Sequence, residues 1–73
     1  MTCEACGAAT ATARHHIVTR GSGGPDEPWN ILELCFACHI GVFHGQGWRT
    51  ACNMYPHLYA RIVEARERVG RKV

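Results

Sequence analysis

The sequence predicts a small α+β domain stabilised by bound zinc, in which a ββα unit is followed by a C-terminal amphipathic helix. Two Cys-x-x-Cys pairs, Cys3/Cys6 and Cys35/Cys38, lie within 73 residues. Between and after them the pattern is strand, glycine-rich loop, strand and short helix. A chain this short buries only about 60% of its unfolded surface, so its core alone gives only marginal stability without a bound metal or a partner subunit.

The first three elements follow from local signals. Gly7 directly follows the Cys3–Cys6 pair and can take positive φ, which lets backbone amides turn toward two thiolates. Residues 8–13 predict a turn, and the β-branched residues within 14–19 predict a strand. Residues 20–28 hold three glycines and two prolines, which predicts a loop without regular structure. Residues 29–34 then predict the return strand.

A short helix is expected from near Cys35 to residues 45–47, and residues 48–55 are expected to be irregular, with Asn53 a possible helix cap. Pro56 suits a first helical turn and Gly70 the residue beyond a last turn. A helix over about 56–69 is predicted because apolar residues recur there at helical spacing: Leu58, Ile62, Ala65 and Val69. We expect it to close over the zinc knuckles and ββα unit of residues 3–45 in one domain spanning 1–73.

The two cysteine pairs predict one structural zinc ion, because each pair supplies two of the four thiolates of a tetrahedral site. Five cysteines fit poorly with a closed disulfide set, although disulfides or a redox pair remain alternatives. Another is c-type haem, whose attachment motif matches Cys35-Phe-Ala-Cys38-His39 but would leave the first pair unused. Without a secretory pattern or a membrane-length apolar run, we expect a cytoplasmic protein, and Cys52 as a buried small residue.

A family resemblance rests on residues in fixed order: His15-His16-Ile17, the glycine-rich loop, Asn30, and Leu34-Cys35-x-x-Cys38-His39. This order resembles the HNH endonucleases, and more narrowly the branch in which two Cys-x-x-Cys knuckles hold zinc beside the active site. His39 stands nine positions after Asn30, the interval typical of that branch. The resemblance covers residues 3 to about 45. It implies a ββα-metal (His-Me finger) fold and a bacterial or phage-encoded, metal-dependent nuclease that nicks DNA as a monomer, or cuts both strands as a dimer.

The resemblance also implies the roles of the site residues. It assigns His15 and His39 to a catalytic divalent ion, Mg²⁺, Mn²⁺ or another transition metal, and His16 to the general base. Adjacent strand residues point to opposite faces, so the two neighbouring histidines are expected to do different jobs. Asn30 would bond backbone on the facing strand and hold His16 in place, or it would merely cap a turn. A general base must be neutral, so activity should fall at acidic pH.

His44 departs from a familiar variant of the motif, in which another histidine follows the helix ligand by four residues. Here the interval from His39 is five residues. At about 100° per residue of an α-helix, His44 would point away from His39 unless the helix ended near Gly41. His44 is therefore only a candidate metal or phosphate contact, and His57 is expected at the surface.

The basic residues are scattered, and the formal net charge of +2 permits nucleic-acid binding without arguing for it. Arg20 and Arg49 flank the expected site and are candidate DNA phosphate contacts. The remaining basic residues are typical of a solvated face, or, for Arg71 and Lys72, of a tail that touches the DNA backbone. Nothing resembles a base-reading helix, so little sequence specificity is expected. The alternative function is a catalytically inactive, zinc-stabilised nucleic-acid-binding module.

Overall fold

A computed structural model describes residues 1–71, so the contact expected of Lys72 lies outside the described part. Two strands, β1 (Ala13–His16) and β2 (Ile31–Leu34), precede a helix that begins as α1 (Phe36–Cys38) and continues as a π-helix (His39–His44). Two further helices follow, α2 (Trp48–Met54) and α3 (Tyr59–Arg68). This order confirms the predicted α+β class and ββα unit. Within residues 1–71 no helix has the length and apolar character to cross a membrane.

The two strands form an antiparallel hairpin that carries both adjacent histidines. His15 lies opposite Leu32 and His16 opposite Ile31. Leu32 and Leu34 are fully buried, and His15 is buried with them, whereas His16 is only half-buried. The two imidazoles therefore have different surroundings, as strand alternation predicts.

The loop between the strands is more regular than predicted. Short 3-10 helices occupy Arg20–Ser22 and Pro28–Asn30, so the expectation of no regular structure over residues 20–28 was wrong. The return strand starts at Ile31 rather than at residue 29, because Pro28 takes the first position of the second 3-10 helix. β1 stops at His16 because the next backbone N–H groups bond the backbone and side chain of Asn30 instead of a strand partner.

Residues 48–54 form helix α2, so the prediction of an irregular segment was wrong, and Asn53 lies inside the helix rather than capping one. Gly47, at φ 96°, turns the chain into this helix, a conformation that favours glycine. Four residues at helical spacing turn toward the core and pack on it: Trp48, Ala51, Cys52 and Tyr55. Tertiary packing therefore stabilises this short helix.

The predicted C-terminal amphipathic helix is confirmed. A 3-10 turn at Pro56–Leu58 leads into α3, whose apolar face buries Ile62 and Ala65 in the core. Arg61 fixes this helix to the N-terminal half of the chain. Its guanidinium pairs with the Glu4 carboxylate at 2.7 Å and donates to the Ile31 carbonyl at 2.8 Å.

Gly24 is the point at which the loop passes closest to the chain that follows β1. A Cβ atom at Gly24 would overlap the Val18 carbonyl group and lie 2.8 Å from the side-chain nitrogen of Asn30. Gly24 is buried, so neither the backbone nor the Asn30 amide has room to retreat. A glycine here therefore allows the loop to close over Asn30.

We expect Gly24→Ala to lower the free energy of unfolding by about 1–3 kcal/mol, the usual cost of overpacking a closed site. Gly21→Ala is the matched control, because a Cβ there meets nothing within 4 Å and the change should stay within about 0.5 kcal/mol. Urea unfolding of both zinc-loaded variants measures the difference. Equal stability of the two variants would show that the loop does not need this close approach.

Candidate metal centres and active site

Four cysteines from two distant segments converge on one point. The Sγ atoms of Cys3, Cys6, Cys35 and Cys38 all lie within 4.8 Å of one another. Cys6 Sγ and Cys35 Sγ are 3.8 Å apart. Four thiolates at about 2.3 Å from zinc form a tetrahedron with edges of about 3.8 Å, so the cluster has the size of a zinc site. All five cysteines of the chain are free thiols.

The electrostatics of these thiols also suit a dication. Burial opposes ionisation of Cys3, but backbone N–H groups, that of Cys35 foremost, lower its pKa to about 6. Burial, as the largest cause, and the neighbouring thiols together raise the pKa of Cys38 to about 12. The cluster therefore cannot hold four thiolates by itself, whereas a bound Zn²⁺ would stabilise all four.

Tyr55 adds a hydroxyl group to this cluster from the end of α2. Its oxygen lies 3.2 Å from Cys38 Sγ. The hydrogen bond to Cys38 raises the pKa of Tyr55 to about 12, so the hydroxyl stays protonated and can donate to the sulfur. Such donors outside the ligand set orient metal ligands and tune the site.

Three histidines form a second cluster beside the first. One ring nitrogen from each of His15, His39 and His44 lies within 4.8 Å of the other two. The Nε2 atoms of His39 and His44 are 3.1 Å apart. Two nitrogens at about 2.1 Å from one ion are about 3.0–3.4 Å apart in octahedral or tetrahedral geometry. The trio therefore fits a divalent ion and leaves coordination positions for water or substrate.

The π-helix explains why His44 reaches His39 across five residues. An α-helix would place His44 about 140° around the axis from His39. A π-helix bonds each residue to the one five positions along, which brings this pair to the same side. The expectation that His44 points away was therefore wrong, because the helix neither stays α-helical nor ends near Gly41. Val42 and Phe43 are buried in the same turn and fix it against the core.

His15 is held in the neutral form. Burial, as the largest cause, and the nearby imidazoles of His39, His44 and His16 together lower its pKa to about 4. Its ring packs against Phe43, with ring centres 4.8 Å apart. Burial likewise lowers the pKa of His39, and His44 adds to the effect. Neutral imidazoles are the form that binds metal.

His16 has a partner that the sequence did not reveal. Its Nε2 atom lies 2.7 Å from the Asp26 carboxylate in the loop. The hydrogen bond from His16 lowers the pKa of Asp26, with a further contribution from Arg14. An ionised carboxylate only accepts, so Nε2 carries the proton and Nδ1 keeps a free lone pair in the neutral ring. Asp26 lies in an aperiodic loop, where no local pattern marks it.

Asn30 ties the two sides of this arrangement together. Its fully buried amide accepts from the Val18 N–H at 2.9 Å and donates to the Val18 carbonyl at 3.0 Å. It also donates to the Pro25 carbonyl at 2.9 Å, next to Asp26. Asn30 thus anchors the chain shortly after His16 and directly before Asp26, and it makes no hydrogen bond to His16 itself.

Two clefts open at the histidine cluster. One, of about 230 Å³, is lined by all three clustered histidines together with His16, Arg14 and Arg20. Arg49 instead lines a separate cavity with Cys52 and Tyr59, and Cys52 is half-buried there. His57 is exposed and hydrogen-bonds the Glu4 carbonyl oxygen in the first cysteine knuckle at 2.8 Å, and it does not line this cleft.

Comparison with protein families gives one finding. The family model described as HNH endonuclease matches residues 3–42, more than half of the chain. The matched segment contains both cysteine pairs, the hairpin and His39. Comparison with curated proteins and with solved structures found no match.

We expect the purified protein to carry about one zinc ion per chain. Cys38→Ser should lose the ion, because it removes one of the four thiolate ligands. A structural zinc contributes about 10–16 kcal/mol of apparent binding energy. That exceeds what so small a core supplies, so the variant should also lose its folded circular-dichroism spectrum. Cys52→Ser is the matched control and should retain both, since its sulfur lies outside the cluster. A folded, zinc-free wild type would contradict this assignment.

We expect stability to fall as the pH is lowered from 7 to 5.5 with no second divalent ion present. In this window His15, whose pKa drops from 6.5 to about 4 on folding, binds its proton mainly in the unfolded chain. Protons therefore favour unfolding, by about 1 kcal/mol over this range. His15→Gln should remove that part of the slope in urea unfolding, with zinc content checked at each pH. Identical slopes for wild type and variant would exclude a buried neutral His15.

Proposed function

Because the chain belongs to the HNH endonuclease family, we propose that it is a metal-dependent DNA endonuclease that hydrolyses single phosphodiester bonds with little sequence specificity. One observation carries the proposal. A histidine that is hydrogen-bonded to a carboxylate lines the same cleft as three imidazoles close enough together to hold a metal ion, beside basic side chains. A purely structural zinc module needs only the cysteine cluster.

His16 is the proposed general base. Asp26 holds the proton on Nε2, so Nδ1 is the nitrogen that can accept a proton from water. Asn30 supports this pair indirectly, by fixing the backbone after β1 and the loop at Pro25. Asp26 is therefore a positioning residue, which fixes the tautomer and orientation of the base.

His15, His39 and His44 are the proposed ligands of the catalytic ion. When bound, a divalent ion supplies Lewis-acid stabilisation of the negative charge on the phosphate and on the leaving oxygen. Imidazole ligands favour Mn²⁺, Co²⁺, Ni²⁺ or Zn²⁺ over Mg²⁺, although Mg²⁺ is abundant in cells. His44 joins the set through the π-helix, and the buried His15 is already neutral.

The proposed reaction is a single displacement at phosphorus. The water oxygen forms a bond to phosphorus as His16 takes its proton, and the bond from phosphorus to the 3′ oxygen breaks. The products are a 5′-phosphate and, after protonation, a 3′-hydroxyl. Arg14 and Arg20 line the cleft and supply positive charge near the phosphate. One such site engages one strand, so nicking is expected of a monomer.

We expect the zinc-loaded chain to nick supercoiled plasmid when Mn²⁺ or Mg²⁺ is added, and His16→Ala to lower the rate by about 10²–10⁴-fold, the usual contribution of a general base. Asp26→Asn should fall between wild type and His16→Ala, because the base remains but its tautomer is no longer fixed. His57→Ala is the matched histidine control and should nick at the wild-type rate, since His57 contacts only the Glu4 carbonyl oxygen among the described hydrogen bonds.

DNA binding must be measured beside nicking, by the mobility of the same plasmid without divalent ions. Loss of nicking with retained binding in His16→Ala supports the enzyme. A wild type that binds DNA but does not nick it with any of these ions would select the alternative, an inactive nucleic-acid-binding module. Nicking that survives in His16→Ala would remove His16 from the role of base.

A further inference from the structure

A second cavity adjoins the histidine cluster on the side of the C-terminal helix. It has a volume of about 290 Å³ and shares His15, His16 and His44 with the proposed active site. The rest of its lining includes Ser22 and three residues that no proposed catalytic step uses: Trp48, Arg66 and Arg71. These three lie beyond the segment matched by the family model, so the family match does not account for them.

We propose that this cavity binds the phosphate next to the scissile one on the same DNA strand, with Arg66 and Arg71 as its cationic contacts. The inference rests on the proposed function, because it takes the histidine cluster as the place of cleavage. Ligand cavities span roughly 300–1,000 Å³, so this one suits a sugar–phosphate unit rather than a larger group. Because the cavity is continuous with the histidines, one strand can occupy both sites.

Both arginines are held in place within the protein. The Arg71 guanidinium donates one hydrogen bond to the Ser22 carbonyl at 2.7 Å. An arginine side chain has five N–H groups, so four more can donate to a ligand. Arg66 stacks over the Trp48 ring, with its guanidinium carbon 4.3 Å from the ring centre. Positions fixed in this way reduce the side-chain entropy that binding would otherwise cost.

The positive charges also lie close enough to affect one another. Burial lowers the pKa of Arg66, and the charges of Arg49 and Arg71 lower it further. An anion placed among like charges relieves their repulsion. A phosphate diester carries one negative charge and oxygen acceptors that match guanidinium donors.

The test compares Arg71→Ala with Arg68→Ala in the zinc-loaded chain. Arg71 is exposed, so its removal should leave the fold intact, and Arg68 is the matched control because it pairs with Glu64 and packs over Trp29. The first measurement is the affinity for a fluorescent twelve-residue oligothymidylate across a salt series, without a second divalent ion. We expect Arg71→Ala to reduce the slope of log K against log salt by about 0.7, the value for one single-strand phosphate contact. Arg71→Glu should weaken binding further.

The second measurement compares hydrolysis of that oligonucleotide with hydrolysis of bis(4-nitrophenyl) phosphate, which has no neighbouring phosphate. We expect the loss of kcat/KM in Arg71→Ala to be about tenfold larger for the oligonucleotide. A salt slope equal to that of Arg68→Ala, or equal losses on both substrates, overturns the subsite. If wild type hydrolyses neither substrate and does not nick plasmid, the proposed nuclease function fails, and the binding series still decides whether the cavity holds a phosphate.

Discussion

Four sulfur atoms from the two ends of the hairpin segment lie within 4.8 Å of one another. The positions of the histidines on the hairpin and on the first helix depend on this cluster. The first knuckle is also joined to β2, through hydrogen bonds between Glu4 and the backbone of Glu33. The second knuckle starts the helix that carries His39. Because one cluster fixes both the strand pair and the direction of this helix, the histidines on the two elements face each other.

The N-terminal and C-terminal halves of the chain contribute different parts of the site. The hairpin and the first helix provide the cysteine cluster, the three clustered histidines and the His16–Asp26 pair. The C-terminal helices cover the core and bring basic side chains to the edge of the histidine cluster. Arg61 connects the halves, since its guanidinium reaches both the first knuckle and β2. The packing of α3 therefore couples the position of the site to the contact that we propose with a substrate strand.

Sequence reasoning recovered what depends on short-range pattern. Cysteine spacing predicted the sulfur cluster, and apolar spacing predicted α3. It missed Asp26 because the partner of His16 lies ten residues away in a loop without periodicity. It gave Arg66 no role and expected Arg71 only in a tail on the DNA backbone, because their place beside the histidines arises only when α3 folds back. It also missed α2, although the spacing of Trp48, Ala51, Cys52 and Tyr55 was a helical signal.

The π-helix has a consequence for how such sites tolerate changes in length. A helix that takes up one extra residue by widening a single turn keeps its flanking side chains in line, so an insertion between two ligands need not destroy a metal site. His39 and His44, the proposed ligands, show the geometry: their Nε2 atoms lie 3.1 Å apart across an interval that a regular helix would not accommodate. The number of residues between ligands is therefore a weaker diagnostic of a shared coordination geometry than the side of the helix on which they emerge.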